Sequence, residues 1–303
     1  MNAASPASEN GYLLGLDLGG TRLKALAITP GGVELTRETS PSGGDSWQDA
    51  LRGCVARITA RHGKPLAIGA AAPGLAAADG RSIEFMPGRL QGLVGLDWAE
   101  LLESAPPVPV INDAHAALLG EVWMGAAKSE RDVVLLTLGT GVGGAILSDG
   151  RLLRGSIGRA GHLGHITLDP AGPPDIANTP GSLEDAVGNH SLAARSHGRY
   201  TTTAALVADA ALGDAEAEKI WARMIRDLAA AIASLVNVLD PALVLIGGGI
   251  SEAGERLFSP LARELDRFEW RPGGHRVRIA RAQLGDWAGA YGAATRAMCQ
   301  IQS

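Results

Sequence analysis

Apolar residues along the chain fall into two recurring arrangements. Short runs such as "YLLGLDLGG" and "VVLLTLGTG" end on glycine, whereas "SWQDALRGCVARITARH" spaces its apolar side chains at helical intervals. Runs bounded by turn residues predict buried strands, and three-to-four spacing predicts helices. The first half therefore reads as strands over 12–28, broken at Gly19-Gly20, then 33–39, 65–74 and 108–113, with helices over 46–62, 97–104 and 114–125. The second half restarts with a strand pair over 132–147 and a loop-rich stretch over 150–182. Helices over 183–196, 201–211 and 214–238, strands over 242–250 and 276–282, and a helix over 287–300 complete it. Alternation of both element types through both halves predicts a mixed α/β fold.

The two strand pairs echo each other. Sliding the first by 120 positions sets Leu18 on Leu138, Gly19 on Gly139 and Ala25 on Ala145. A chain of 303 residues suits two domains, and the echo predicts that each opens with the same hairpin. A 46 % hydrophobic and 19 % charged composition is that of an ordinary globular protein. A net charge of −5 with scattered Lys and Arg argues against nucleic acid as the main partner. The longest apolar runs fall short of the roughly 20 residues a membrane span needs. "MNAASPASENGY" reads as a flexible tail rather than a secretory signal. Two cysteines without metal-type spacing, Cys54 and Cys299, fit a reducing compartment, and the expected location is cytoplasmic.

Glycine lets a backbone reach unusual φ values and lets an anion approach main-chain N–H groups. In "DLGGT", Asp17 precedes Gly19, Gly20 and Thr21. A carboxylate there can hold hydrated Mg²⁺ while the turn and Thr21 face phosphate. In "TLGTGVGG" the carboxylate is replaced by Thr137, with Thr140 and Gly141 at the tip, which suits phosphate without metal. Either loop alone reads as a tight hairpin; two aligned copies point to one polyphosphate held by both. In "VPVINDAHAALLGE", Asn112 and Asp113 fall at the carboxyl end of a strand, where α/β sheets place ligands. Asp113 stands where a helix N-cap would, and it equally suits accepting a proton from an attacking hydroxyl. Asn112, with a donor and an acceptor, suits sugar hydroxyls. "LVLIGGGISEAGE" reads as a glycine shelf under a nucleotide or as a plain strand-to-helix turn.

Taken in chain order, with 108–121 ahead of 137–144, these four segments resemble the phosphate-1, connecting, phosphate-2 and adenosine motifs of the actin-like sugar kinases. "GHLGHITLDP" and "PGSLEDAVG" are similar, within that superfamily, to the ROK family (repressors, open reading frames, kinases). The resemblance runs over about residues 12–297, and no helix-turn-helix segment stands ahead of residue 12, which favours the kinase branch. It implies a two-domain, duplicated ribonuclease H-like fold with an interdomain cleft. The implied parts are a tail over 1–11, an N-terminal domain over 12–115 completed by a helix at about 288–303, and a C-terminal domain over 116–287. It further implies a homodimer and transfer of the ATP γ-phosphoryl group to a hexose, usually at the 6-hydroxyl. Alternatives are an N-acetylmannosamine, N-acetylglucosamine or fructose kinase, another donor such as polyphosphate, or a non-catalytic sugar-binding regulator. By position, Asp113 would be the base, and Gly74, Asn112, His165 and Glu184 would surround the sugar. Asp17, Gly19, Gly20, Thr21, Thr140 and Gly141 would handle Mg²⁺ and phosphates, with Gly247 and Gly248 by the nucleotide.

The chain departs from the pattern in places. The family's zinc loop has a Gly-His and three cysteines; here Gly164-His165 is kept, but the cysteine positions read Asp175, Ala177 and Ser182. A structural zinc needs about four ligands, so no zinc is expected. The usual Glu three residues before the histidine is His162, which offers a donor and an acceptor where a carboxylate only accepts; His162 and His165 read otherwise as metal ligands or as ordinary loop histidines. Arg89 stands where an Asn is common. Lys24 and the run 255–271 read as solvated surface, and Trp123, Trp221 and Trp287 as core or interface.

Overall fold

The computed structural model describes residues 11–43, 47–86 and 90–301. Arg89 and residues 1–10 of the expected tail lie outside the described residues. The first elements are β1 (Leu13–Leu18), β2 (Arg22–Ile28), β3 (Glu34–Pro41), α1 (Trp47–His62), β4 (Ala67–Ala72), β5 (Leu75–Ala76), β6 (Ile83–Phe85), α2 (Trp98–Leu101), β7 (Val110–Asn112) and α3 (Asp113–Met124). Then come β8 (Val133–Leu138), β9 (Val142–Ser148), β10 (Arg151–Leu152), α4 (Leu183–Val187), α5 (Leu192–Arg195), α6 (Thr203–Ala211), α7 (Ala215–Leu239), β11 (Leu243–Gly247), α8 (Glu255–Phe268), β12 (Arg278–Arg281) and α9 (Ala288–Ile301). The described residues form two compact units, one drawn from within 1–129, 154–159 and 283–303 and the other from 130–153 and 160–282.

In the first unit the sheet order is β3-β2-β1-β4-β7, with β1, β4 and β7 parallel. Strand β1 alternates: Leu14, Leu16 and Leu18 join α1 residues Trp47, Leu51 and Ile58, while Leu13 turns to Ala290 and Ala294 of α9. Burial on both faces is why its sequence is nearly all apolar. Helix α9 is built from small residues because it lies close to its neighbours. A Cβ on Gly292 would stand 1.7 Å from the Ala116 carbonyl oxygen of α3.

The second unit repeats the order as β10-β9-β8-β11-β12. Val134, Leu136, Val244 and Ile246 form its core with Met224, Ile225 and Leu228 of α7. Asp214 caps α7 by accepting from the Ala217 N–H at 2.9 Å. The reading of 255–271 as solvated surface fails for one face of α8. Leu257, Leu261 and Leu265, four residues apart, are buried in this core. Trp221 is core, its indole N–H donating to the Arg256 carbonyl, while Trp123 and Trp287 pack around Tyr291 in the first unit. Among the described residues no helix is long and apolar enough to cross a membrane.

The hairpins also correct the ungapped echo. Leu18 pairs with Leu23 across the first turn, whereas Leu138 pairs with Val142 across the second. The second turn is one residue shorter, closed by a Gly139 N–H bond to Gly141 instead of Gly19 to Arg22. Ala25, opposite Leu16, therefore corresponds to Gly144, opposite Leu136, and not to Ala145.

Candidate active site

In the first unit the parallel strands bring three carboxyl ends side by side. Asp17 of β1 lies opposite Ala71 of β4, and Ala72 lies opposite Asn112 of β7. Strand β7 runs through Asn112, so α3 begins one residue earlier than its spacing predicts. The N-cap is consequently Asn112 and not Asp113: its Oδ1 accepts from the N–H groups of Ala114 (3.0 Å) and His115 (3.2 Å). Its Nδ2 donates to the Gly74 carbonyl at 3.0 Å, which ties the β4 turn to α3. With Oδ1 occupied, what this buried side chain offers a ligand narrows to its second amide hydrogen. Asp113 is the first residue of α3 and is exposed, its Oδ1 2.8 Å from the Ala114 N–H.

Asp17 lies almost out of solvent and is directly opposite Lys24 on β2, whose Nζ is 3.9 Å from its Oδ2. Lys24 also donates to the Asp286 carbonyl and lies 4.0 Å from the Asp286 carboxylate. Reading Lys24 as surface is therefore wrong. Counting outward from the turn, which sets residues 17 and 24 face to face, would have found it. Burial pushes the Asp17 carboxyl up to about 7; Lys24 pulls it down, and Asp113 and Asp286 add to the rise. Room for the carboxylate comes from Gly289 of α9, where a Cβ would stand 2.7 Å from Asp17 Cγ. A carboxylate whose ionisation is opposed by burial and by Asp113 and Asp286, and eased by one ammonium, fits a hydrated Mg²⁺, which takes one or two carboxylates plus substrate phosphates. Gly20 and Thr21 are exposed at the turn, and Ser42 bonds the carbonyls of Gly19 (2.5 Å) and Thr21 (3.1 Å).

In the second unit the hairpin tip carries no ionisable side chain of its own. Glu184, at the start of α4, instead accepts from the Val142 N–H at 2.8 Å, and a Cβ on Gly141 would stand 2.3 Å from its Oε2. His190 braces the other side of the tip: its N–H donates to the Thr140 carbonyl at 2.9 Å and its Nε2 lies 2.7 Å from Asp185. The turn holding His162 and His165 packs on β9 where side chains are missing. A Cβ on Gly144 would stand 2.7 Å from the Gly161 carbonyl oxygen, and one on Gly164 2.2 Å from that of Val142. His162 is half-buried and His165 exposed.

The residues at the zinc-loop positions still converge, on a carboxylate. His165 Nδ1 lies 3.0 Å from Asp175 Oδ2, and Asp175 Oδ1 accepts from the N–H groups of Ala177 and Thr179, each at 2.8 Å. Burial opposes ionisation of Asp175, but His165, those amides and the Ser182 hydroxyl outweigh it and hold the carboxyl below its ordinary value. One imidazole already engaged by one carboxylate does not make a zinc set. Among the described residues no three His, Cys, Asp or Glu side chains gather as metal ligands.

Gly247 pairs with Thr137, and Gly248 follows at φ +80°, where a Cβ would meet the Leu138 carbonyl oxygen at 2.4 Å. The glycine run thus lies against the end of β8. Beyond it opens a cavity of about 370 Å³ between α6 and the segment 249–256, lined by Thr203, Val207, Gly249, Ile250, Glu252 and Arg256. The α6 wall has no sequence signal, because a solvent-facing helix and a groove wall read alike. The expected residues therefore form two groups, one per unit: Asp17, Gly19, Gly20, Thr21, Gly74, Asn112 and Asp113, and Thr140, Gly141, His162, His165, Glu184, Gly247 and Gly248.

Comparison with known proteins bears on the same motifs. A sequence model described as the ROK family matches residues 13–299. The chain is 30 % identical to a glucokinase of Halalkalibacterium halodurans over 93 % of both chains. Its fold matches that of a ROK hexokinase from Thermus thermophilus (TM-score 0.85, 32 % identity, 96 % of this chain and 99 % of that one). It also matches a ROK family glucokinase from Streptomyces griseus in complex with glucose and AMPPNP (TM-score 0.79, 29 % identity, 95 % and 100 %). With the family model spanning nearly the whole chain and the duplicated α/β sheets in place, the protein belongs to the ROK family.

Proposed function

We propose that the protein is an ATP-dependent hexose kinase that transfers the γ-phosphoryl group of Mg-ATP to the 6-hydroxyl of glucose. One observation carries this reading: an exposed Asp113 immediately after β7, at the same sheet edge as an Asp17 that is largely out of solvent and whose ionisation it opposes. A regulator that had lost the chemistry would have no use for that costly pair. The glucokinases among its relatives, one of them holding glucose and AMPPNP, support the choice of sugar and donor.

In this reading the sugar is held by the Gly74 turn, the remaining Asn112 amide hydrogen, His162, His165 and Glu184. The acceptor hydroxyl oxygen forms a bond to the γ-phosphorus as the bond to the β–γ bridging oxygen breaks and ADP leaves. The hydroxyl proton passes to an Asp113 carboxylate oxygen, late in a transition state that is largely dissociative. Asp17 would hold Mg²⁺ through water; the ion, when bound, neutralises charge on the phosphate oxygens. The glycine hairpins at 19–21 and 139–141 take the phosphates, and the cavity beside Gly249 takes the adenosine end.

The test is ADP release measured with a panel of hexoses and N-acetylhexosamines, using ATP and polyphosphate in parallel. Turnover greatest with glucose and ATP is expected, and no turnover with any pair would overturn the proposal. His162 in place of a carboxylate favours one second reading, an N-acetylmannosamine or N-acetylglucosamine kinase; preference for an amino sugar in the same panel would select it.

A further inference from the structure

We propose that Asp175 is a positioning residue for the proposed sugar-binding histidine: it fixes the His165 ring as the Nδ1–H tautomer, leaving Nε2 as an acceptor. The inference rests on the reading of His165 as a sugar contact and adds what makes that contact directional. Asp175 is held from three sides. Its side chain is fully buried while that of His165 is 37 % exposed. Oδ1 is saturated by the Ala177 and Thr179 amides, so Oδ2 is the oxygen left for the imidazole. Ser182, itself buried, adds a hydroxyl to the same carboxylate and caps α4 through the Asp185 N–H at 3.2 Å. Helix α4 carries Glu184, so one carboxylate links the orientation of His165 to the placement of Glu184.

An ionised carboxylate only accepts hydrogen bonds, so the nitrogen facing it must carry the proton. The opposite nitrogen then carries a lone pair, complementary to a hydroxyl donor on a polyol. The substitution Asp175→Asn reverses this. The carboxamide oxygen would keep the two backbone amides, and the carboxamide nitrogen would present a donor to Nδ1 of His165. That arrangement favours the Nε2–H tautomer and turns the acceptor into a donor. Loss of such an orienting partner costs about 10- to 100-fold at metal-ligating histidines, and that range is taken as the scale here.

Two measurements test the assignment. Long-range ¹H–¹⁵N spectra of the protein labelled at histidine, with His165→Asn as the assignment reference, should show Nδ1–H in the wild type and a shift toward Nε2–H in Asp175→Asn. Kinetics with the sugar selected by the panel should show Asp175→Asn raising the sugar KM about 10- to 100-fold, with the ATP KM unchanged. His165→Ala should cost as much, and the double variant no more, because the two act as one unit. An Nε2–H tautomer in the wild type would overturn the proposal even if Asp175→Asn failed to fold. An unchanged sugar KM in a folded Asp175→Asn, additive losses in the double variant, or equal rises in both KM values would overturn it too. If no sugar is phosphorylated, the kinase reading fails and this sugar-directed role falls with it; if only the tautomer is wrong, the kinase reading stands.

Discussion

The β1–β2 and β8–β9 hairpins occupy the same place in two sheets of the same strand order, yet they are built for different work. The first pairs Asp17 with Lys24 across the ladder; at the same register the second pairs Thr137 with Gly143. One hairpin carries a carboxylate drawn largely out of solvent, costly to ionise and only partly relieved by the ammonium opposite, which suits it to a cation. The other carries none and uses missing side chains instead: Gly144 and Gly164 let the histidine turn approach, and Gly141 lets Glu184 reach the Val142 amide. A duplicated framework has thus been divided between charge and access. The single-residue difference in turn length moves Gly144, rather than an alanine, into the place where that approach is needed.

The largest expected effect comes from the residue that should act on the hydroxyl. Asp113→Asn should fold normally and lose about 10²- to 10⁴-fold in kcat, the usual range for a general base, with sugar KM little changed in steady-state assays. Retained turnover would leave the charged half without its chemistry. Asp17→Asn should sharpen the contrast through pH. In the unfolded chain Asp17 titrates near 3.8, and in the folded protein at about 7. Between those values the folded state keeps a proton that the unfolded state has released. Its contribution is therefore full below pH 4 and is lost as pH rises through 7. Denaturant unfolding of metal-free protein should show up to about 4 kcal/mol less stability at pH 8 than at pH 4 from this group, and Asp17→Asn should flatten that slope.

Two smaller effects follow, one from a residue packed on the end of β8 and one from within the β1–β2 hairpin. Gly248→Ala puts a Cβ against the Leu138 carbonyl at a φ that L-residues avoid, so the chemical denaturation midpoint should fall by about 1–3 kcal/mol in equivalent stability. Lys24→Met removes the ammonium that lowers the Asp17 pKa. The acidic limb of the pH–rate profile should then move to higher pH by about one unit, with the second hairpin's contribution to nucleotide binding unchanged.

Much of the fold was legible because its strands are buried on both faces and end on glycine, so β1, β4, β8 and β11 stand out as apolar runs with abrupt stops. Helix α8 was misread because Arg and Glu between Leu257, Leu261 and Leu265 hide a stripe only three leucines long. Asp17 and Asp113 were legible as carboxylates at strand ends. The cap was misplaced by one residue because Asn112 and Asp113 both suit it, and only strand pairing decides where β7 stops. Lys24 faces Asp17 only once the ladder is counted outward from the turn, and its second carboxylate, Asp286, lies far along the chain. The hub at Asp175 was visible only as an absence of cysteines; its hydrogen bonds come from backbone amides that carry no sequence signature.

The division of labour is tested most directly by nucleotide binding titrated at several Mg²⁺ concentrations in Asp17→Asn and Gly141→Ala. The account predicts that Asp17→Asn removes the Mg²⁺-dependent part of the affinity, while Gly141→Ala weakens binding equally at every Mg²⁺ concentration. Mg²⁺ dependence that survives in Asp17→Asn, or that disappears in Gly141→Ala, would contradict it.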